Sequence, residues 1–520
     1  MRIKLIGDKV SNQTTLTSEK ELHKAILQEK LKGTPDIEIG KKYGVNFKFI
    51  EKLITKSKGI NISNLNVSKK IKTLVPNDFK EEQTTIWSFK SRGSWATHSG
   101  EYRGNWSPYL PRNVILKYSK PGEIVLDYFC GAGTTAVEAK LLGRRCIAFD
   151  INEEAVELSK KNMDFSIPPQ FNLGDNGNIT EFYDPDVKVG DARNLLTVKS
   201  SSIHLICAHP PYANIIQYTD SKEGDLSQCD IDEFLLEMAK VAKESYRVLK
   251  TGRQCAILIG DMRRNKNVVP LGFKTIDVFE KVGFKVKELI IKRQHNCKTT
   301  GFWYDNSVKF NFLLLAHEYL VIFEKPKPKF EYVYETTTGY TALTPIMEKM
   351  PLKKKLDTLE TTTVWVLPEK GFEEQLNKNI VERYSRGNYL TISFTKPKDA
   401  KKLGSQKNKD LLFIKHPFEN LVRINIKLHL QKIKVIIEKQ MPIIIKNGFV
   451  IIQTQDIRMN KNVILMAKYI INNIIIDGLS LKEIIIVIKE IQNQEPRKEN
   501  SNLKISHQYL LVYERKYNGN

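Results

Sequence analysis

The spacing of apolar residues changes along this chain, and each change predicts a different kind of element. Residues 18–60 place them at helical intervals: "TSEKELHKAILQEKLKG" reads as a helix capped by Thr17 or Ser18. In "TPDIEIGKKYGVNFKFIEKLI", Ile39, Gly44, Val45 and Ile50 suit two short helices joined by a glycine turn, a helix-turn-helix spacing that a plain helical hairpin shares. From about 85 to 118 the periodicity fades into a stretch rich in Trp, Gly, Arg and Tyr, predicted to be a loop that carries binding. "EIVLDYFCGAGTTAVEAKLLGRRCIAFDINEEAVELSKKN" then alternates apolar strand, glycine turn, amphipathic helix, strand and helix, the βαβα unit of a parallel sheet. The alternation continues through the strand "SSIHLICAHPPY", the helix "DIDEFLLEMAKVAKESYRVLK", the strand "RQCAILIGD", a helix near 272–282 and the paired strands "FKVKELIIKRQ" and "HEYLVIFEKP". A Lys/Pro run near 324 closes this unit.

The remainder answers the first unit strand by strand. "DLLFIKHPFENL" matches "IHLICAHPPYANI", "GFVIIQTQDIRMNKNVI" matches "RQCAILIGDMRRNKNVV", and "SHQYLLVYERK" matches "AHEYLVIFEKP", in the same order. An internal duplication follows. Its second copy has no GxG turn, and His-Pro-Phe replaces His-Pro-Pro-Tyr, so it is expected to keep a sheet while losing chemistry. The expected fold class is α/β, a Rossmann-like sheet with helices on both faces, with a helical module at 1–80, a catalytic domain at 81–328 and a degenerate α/β repeat at 329–520.

Candidate chemistry sits where strands end. "VLDYFCGAGTT" places Gly131 and Gly133 at a strand-to-helix turn, where backbone amides approach a ligand. Asp150 ends the next strand and suits a carboxylate that accepts both hydroxyls of a ribose, a spacing shared by dinucleotide and other adenosine sites. A third segment, "VKVGDARNL", brings Asp191 to a position from which it contacts an adenine amino group, and His209-Pro210-Pro211-Tyr212 ends the fourth strand. In an open α/β sheet ligands lie beyond the carboxyl ends of the strands, so these elements converge on one crevice.

Together these residues resemble the S-adenosylmethionine-dependent DNA methyltransferases that modify exocyclic amino groups. The D-x-F-x-G-x-G-T turn stands here as Asp127, Phe129, Gly131, Gly133 and Thr134, and the (D/N/S)-P-P-(Y/F) tetrad as His209 to Tyr212. The resemblance covers roughly 85–326, including "GNWSPYLPRNVIL" ahead of the glycine turn and "HEYLVIFEK" as a closing strand; His209 is the departure, since the family carries Asp, Asn or Ser there. It implies S-adenosylmethionine held by Asp127, Phe129, Gly131, Gly133, Thr134, Asp150 and Asp191, and methyl transfer to a base swung out of duplex DNA. The Pro210 carbonyl and a neutral His209 ring nitrogen would accept from the amino group, with Tyr212 stacking on the base. On that reading activity falls between about pH 8 and pH 5.5 as the imidazole gains a proton. Asp220, Asp225 and Asp261 are further candidates for the crevice. Arg263, Arg264 and Lys266 form a basic cluster for phosphates or a solvated loop, and 292–311 suits contacts to a displaced base. His98, His295 and His317 have no assigned role.

Composition narrows the partners. Lys and Arg number 82 against 59 Asp and Glu, a formal charge of +23, which favours a polyanion such as double-stranded DNA, although a lysine-rich proteome gives the same surplus. Six cysteines without a CxxC pair indicate neither zinc site nor disulfide framework, and the longest apolar runs break before the roughly 18 residues a membrane helix needs. A soluble, cytoplasmic enzyme without metal or membrane partner is expected, with a restriction endonuclease as a candidate partner. The uncharged tetrad residue tips the target toward N4 of cytosine. N6 of adenine, an RNA substrate and a catalytically dead DNA-binding protein are the successive alternatives.

Overall fold

The computed structural model describes residues 19–31, 34, 36–45, 49, 50, 53 and 71–516, the last range apart from 78, 103, 168–180, 220–221, 296–306, 308, 328–343, 349–359, 396–407, 416–425, 460 and 491–501. Helices α1 (Glu19–Leu31) and α2 (Asp36–Tyr43) open the chain. α2 stops where Gly44 takes φ 65°, a left-handed value that disfavours a side chain, and the Val45 N–H returns to the Gly40 carbonyl at 3.1 Å. Ile26 and Ile39 meet Ile50 and Leu53 in a small separate core. The predicted glycine turn is there; the cap at 17–18 lies outside the described residues.

The next elements are β1 (Ile86–Ser88), α3 (Tyr109–Tyr118), β2 (Ile124–Asp127), α4 (Thr134–Leu141), β3 (Arg145–Asp150), α5 (Glu153–Met163), β4 (Asp186–Val189), β5 (Ile203–Ala208), α6 (Ile231–Val248), β6 (Leu249–Ile259), a hairpin of β7 (Met262–Arg264) and β8 (Asn267–Val269), α7 (Leu271–Val282), β9 (Lys285–Arg293) and β10 (His317–Glu324). Eight of the strands form one sheet in the order β1-β9-β10-β6-β5-β2-β3-β4. β10 alone runs against its neighbours. Strand β5 is buried along nearly all its length, as a strand covered on both faces must be. α6 shows why its sequence is helical: Asp230 caps it by accepting from the Glu233 N–H at 2.9 Å, and Phe234, Met238, Val241, Ala242, Ser245 and Val248 recur on the buried face.

The loop predicted over 85–118 holds two regular elements, β1 and α3. The strand is too short to show alternation, and its Trp87 is fully buried and donates to the Thr84 carbonyl at 3.0 Å. The helix carries Pro111 in its first turn, where the missing N–H costs nothing, and follows Pro108 rather than a polar cap.

The second half begins with β11 (Thr344–Glu348), β12 (Val364–Pro368), α8 (Phe372–Tyr384), β13 (Tyr389–Thr395) and β14 (Lys409–Lys415). It continues with α9 (Ile426–Gln440), β15 (Ile444–Thr454), the hairpin β16 (Ile457–Met459) and β17 (Asn462–Ile464), α10 (Met466–Asn473), β18 (Leu479–Glu490) and β19 (His507–Arg515). Its sheet has the order β12-β18-β19-β15-β14-β13-β11. The first six repeat β1-β9-β10-β6-β5-β2 in position and direction. The edge differs: β11 pairs antiparallel with β13 where β2 has the parallel β3. The paired segments recognised in the sequence, 410–421, 448–464 and 506–516, fall on equivalent strands wherever they are described.

The two sheets hold each other by reciprocal contacts. Arg263 donates to Glu483 at 2.6 Å and to the Leu313 carbonyl at 2.8 Å, while the Leu313 N–H reaches Glu483 at 3.0 Å. Arg458 makes the same pair of bonds to Glu288 and the Leu503 carbonyl, and the Leu503 N–H reaches Glu288 at 3.1 Å. The relay Asp261, Tyr319, His317 ends on Thr363 across the junction, at 2.9 Å; the relay Asp456, Tyr509, His507 ends on Thr85, at 2.9 Å. Each bond has its counterpart, which is the pattern of a two-fold dimer carried within one chain. Among the described residues no helix is long and apolar enough to cross a membrane.

Burial pushes the Glu288 carboxyl up, and Arg458 pulls it back. Replacing Arg458 with Ala leaves that carboxyl without its cation, held by the Leu503 N–H, and is expected to cost about 3 kcal/mol in chemical denaturation. The loss grows with pH, because a carboxyl with a raised pKa keeps its proton folded and releases it on unfolding. A loss below about 1 kcal/mol, or one unchanged between about pH 5 and pH 8, would show that the pair does not hold the junction.

Candidate active site

The first sheet reverses its order between β2 and β5: β3 and β4 continue on one side, β6 on the other. The ground beyond these two strand ends is left uncovered, and an open cleft lies there. Phe129, Gly131, Asp150, Asp191, His209 and Pro211 of the predicted residues line it. Asp127, Gly133, Thr134, Pro210 and Tyr212 are not among the residues that line it.

The glycine turn is built for close approach. Asp127, at the end of β2, turns its Oδ1 to the Phe129 N–H at 3.0 Å, and burial pushes its carboxyl up to about 7. Gly131 has φ 50°, and its N–H donates to Asp150 Oδ2 at 2.8 Å. Gly133, with φ 81°, precedes α4; a Cβ there would stand 2.3 Å from Ser159 Oγ. The Thr134 hydroxyl donates to Asn105 Oδ1, tying the helix start to the preceding loop. Asp150 Oδ1 accepts from the Asn152 N–H at 2.9 Å, so each carboxylate oxygen carries one backbone donor and keeps accepting capacity. Burial, with the Asp225 charge, raises this carboxyl to about 6 against the backbone donors of Asn152, Gly131 and Ile151.

At the facing strand end, His209 lies against Trp106, ring centroids 5.5 Å apart and planes 24° from parallel. Its Nε2 is 2.9 Å from the Tyr212 hydroxyl, which donates to Glu318 Oε1 at 2.7 Å; Lys292 Nζ holds Oε2 at 2.6 Å. Tyr212, expected to stack on a base, thus has its hydroxyl turned inward. Pro210 is buried, and among the described residues nothing donates to its carbonyl. Burial pushes the His209 imidazole down to about 4, so it stays neutral far below the pH at which an ordinary histidine charges. The fall in activity expected between about pH 8 and pH 5.5 therefore moves to lower pH.

Several polar groups take other places than the sequence suggested. Asp191 lines the cleft, but both its oxygens are held by Arg193, at 2.7 to 3.0 Å. Asp225 also lines it and closes the loop by accepting from Thr219 and Ser227. Asp261 is a correction: its carboxylate is buried on the Gly272 N–H and the Tyr319 hydroxyl, away from the crevice. Arg263 belongs to the junction between the sheets, Arg264 reaches Asn214, and Lys266 lies over Phe310. Asp220 and residues 296–306 lie outside the described residues. His98 donates to Glu138, His295 shares a hydrogen bond with the Ser88 hydroxyl, and His317 belongs to the junction relay.

The stretch 85–118, expected to carry binding without any residue of it being named for the site, supplies the cleft's outer wall. Tyr102, Gly104, Asn105 and Trp106 of that stretch are among the lining residues, and Asn152 and Tyr218 join them from outside it. Arg92 fixes the wall through the Asn105 and Trp106 carbonyls, at 2.6 and 2.7 Å. Glu138 of α4, fully buried, anchors it from below by receiving Trp95 Nε1 at 2.6 Å, His98 Nε2 at 2.7 Å and Arg112 at 2.9 Å. Burial alone would raise this carboxyl, but His98 and Arg112 overcome it and hold it below its usual value.

The sequence profile of the DNA methylase family matches residues 20–161 and 203–419, and that of a general methyltransferase domain matches 119–271. The type II methyltransferase M2.DpnII of Streptococcus pneumoniae is 33% identical over 88 residues, 17% of this chain and 32% of its own length. M.MjaI of Methanocaldococcus jannaschii is 28% identical over 167 residues, 27% of this chain and 55% of its own. A tRNA (guanine(10)-N2)-dimethyltransferase of Methanothermobacter thermautotrophicus is 32% identical over 135 residues, 26% of this chain and 34% of its own. The chain thus spans about a third to a half the length of these curated relatives.

Replacing Glu138 with Leu strands three buried donors, and thermal or denaturant melting should show a loss of about 3 to 5 kcal/mol. The carboxyl's lowered pKa adds stability above its unfolded value, lost as pH falls through the folded one, so the mutational loss shrinks in acid. A loss within about 0.5 kcal/mol would mean that the wall is held by other contacts.

Proposed function

The chain belongs to the DNA methylase family, and on that footing we propose that it transfers a methyl group from S-adenosylmethionine to an exocyclic amino nitrogen of a base in duplex DNA. The observation that carries this reading is that the glycine turn after β2 and the His-Pro-Pro-Tyr turn after β5 open into one cleft. A carrier and an acceptor nucleoside must meet, and only adjoining strand ends allow it.

The residues present suit the cofactor. Gly131 keeps the backbone bare at the cleft, Gly133 lets the start of α4 pack against Ser159 and Met163 of α5, Asp150 retains lone pairs for a ribose diol, and Phe129 and Tyr102 supply apolar wall. S-adenosylmethionine, when bound, supplies a methyl group already activated on a sulfonium. The protein's part is to prepare the nucleophile. An aromatic amine is a poor one because its lone pair is delocalised; acceptors at its two N–H bonds draw it toward tetrahedral geometry. The Pro210 carbonyl and neutral His209 are the acceptors in this reading. DNA enters as the polyanion that the charge of +23 favours, with its target base extruded. N4 of cytosine is taken as the target, since the tetrad's first residue is uncharged, and N6 of adenine is the alternative outcome of the same measurement. The tRNA-modifying relative supports a second reading, transfer to an RNA amino group.

Duplex DNA and RNA incubated with the protein and a labelled methyl donor, then digested for nucleoside mass spectrometry, decide among these. Methylcytidine or methyladenosine in deoxy form is expected; label in RNA alone would transfer the assignment to the second reading. Asp150→Ala should weaken cofactor binding in calorimetry by about ten- to a hundredfold. In protein that stays folded and is saturated with S-adenosylmethionine, so that protonation of Asp150 near 6 is not read, kcat should hold between about pH 8 and pH 5.5 and fall with a midpoint near 4, the value to which burial takes His209. A midpoint above about pH 6 would take His209 out of the mechanism.

A further inference from the structure

Resting on that methyl-transfer reading, we infer that Tyr212, Glu318 and Lys292 are positioning residues that fix the tautomer of His209, so that Nδ1 is the ring nitrogen presented to the substrate's amino group. The chain of hydrogen bonds allows one arrangement. Lys292 Nζ has only donors and holds Glu318 Oε2 at 2.6 Å. Burial would raise the Glu318 carboxyl, but the Lys292 ammonium, joined by the Tyr212 hydroxyl, outweighs it and holds the group below its usual value, so it is a carboxylate and only accepts. The Tyr212 hydroxyl has a single hydrogen, and Glu318 Oε1 takes it at 2.7 Å. The phenol oxygen must then accept from His209 Nε2, 2.9 Å away. A neutral imidazole with its proton on Nε2 has a bare lone pair on Nδ1. Among the described residues no group bonds Nδ1, and His209 is one of the residues lining the cleft.

The chain contains its own control. Glu318 and Lys292 face each other in the register of β10 and β9; at the matching register of β19 and β18 stand Gln508 and Val487. The neighbouring relay that joins the two sheets is kept in both, as Asp261, Tyr319, His317 and as Asp456, Tyr509, His507. The carboxylate and its lysine occur only in the sheet whose strand end carries a glycine turn and the full tetrad. A role in holding sheets together would call for them in both copies.

The test uses the full chain labelled with nitrogen-15 at histidine, the His209 resonances assigned by their loss in His209→Ala. The wild type at neutral pH should show the proton on Nε2 and an unprotonated Nδ1. Tyr212→Phe and Glu318→Gln, which keep shape, should show averaging between tautomers, with kcat down about ten- to a hundredfold. The KM for DNA and the calorimetric affinity for S-adenosylmethionine should stay within about twofold, which a merely structural lesion would not spare. A wild-type proton on Nδ1, or wild-type tautomer and kcat in both variants, overturns the relay. Failure of the wild type to methylate any nucleic acid overturns the underlying reading instead, and the tautomer spectrum, recorded without turnover, keeps the two failures apart.

Discussion

Two neighbouring strands whose connections leave in opposite directions cannot cover the ground between their own carboxyl ends. That constraint at β2 and β5 shapes the first half of this protein. It forces a cleft, and it makes the two turns bounding it the places where backbone is most exposed. Glycines suit one turn because its backbone takes left-handed φ values at Gly131 and Gly133. Prolines suit the other because a carbonyl with no adjacent N–H offers an acceptor and nothing that competes for it. The rest of the domain serves to keep these two corners at a fixed separation: α4 and α5 behind the glycines, β10 threaded antiparallel beside β6 so that Glu318 lies under the tetrad.

The same physical device recurs wherever something must be fixed. A carboxylate is buried and given donors until its charge is stable. Glu138 holds the loop wall, Glu318 holds the tetrad, and Glu288 and Glu483 hold the two sheets together. The balance differs among them. At Glu138 and Glu318 the partners outweigh burial and the carboxyl is pulled down; at Glu288 and Glu483 burial outweighs a single arginine and the carboxyl stays raised. Buried ion pairs of this kind contribute geometry more than net stability, because desolvation takes back most of the Coulombic gain. Their value here is that a side chain paired on two sides has only one position to occupy.

What the sequence disclosed follows from how far apart the cooperating residues lie. The glycine turn, Asp150 and His209 to Tyr212 each sit in a contiguous run with a strand before it, so local pattern was enough to place them at strand ends. Trp106, Lys292 and Glu318 come from a loop and two distant strands; Glu318 is 106 positions from the hydroxyl it holds, and nothing local distinguishes it from the other polar residues of "AHEYLVIFEK". Arg263 read as a surface cation because a run of basic residues usually is one, and only the fold reveals Glu483 opposite it. β1 and α3 were hidden for a different reason: three residues carry no period, and a helix that starts at prolines gives no polar cap. The repeat was legible from three strands, yet the lysine-glutamate step it shares at 287–288 and 482–483 became meaningful only with the junction in view.

A histidine at the head of the tetrad sets the electrostatics of the corner. A carboxylate there would bring a full negative charge into a half-enclosed cleft and would need its own partners to remain ionised. A neutral imidazole accepts through one nitrogen without that cost, provided the other is committed as a donor. Burial supplies the first condition by disfavouring the imidazolium, and a phenol whose only hydrogen is already given away supplies the second. The negative charge is not absent, only displaced: it stands on Glu318, one hydroxyl removed from the ring and balanced by Lys292. A corner built this way keeps a good acceptor in reach of the cleft and keeps the charge that organises it where no substrate need touch it.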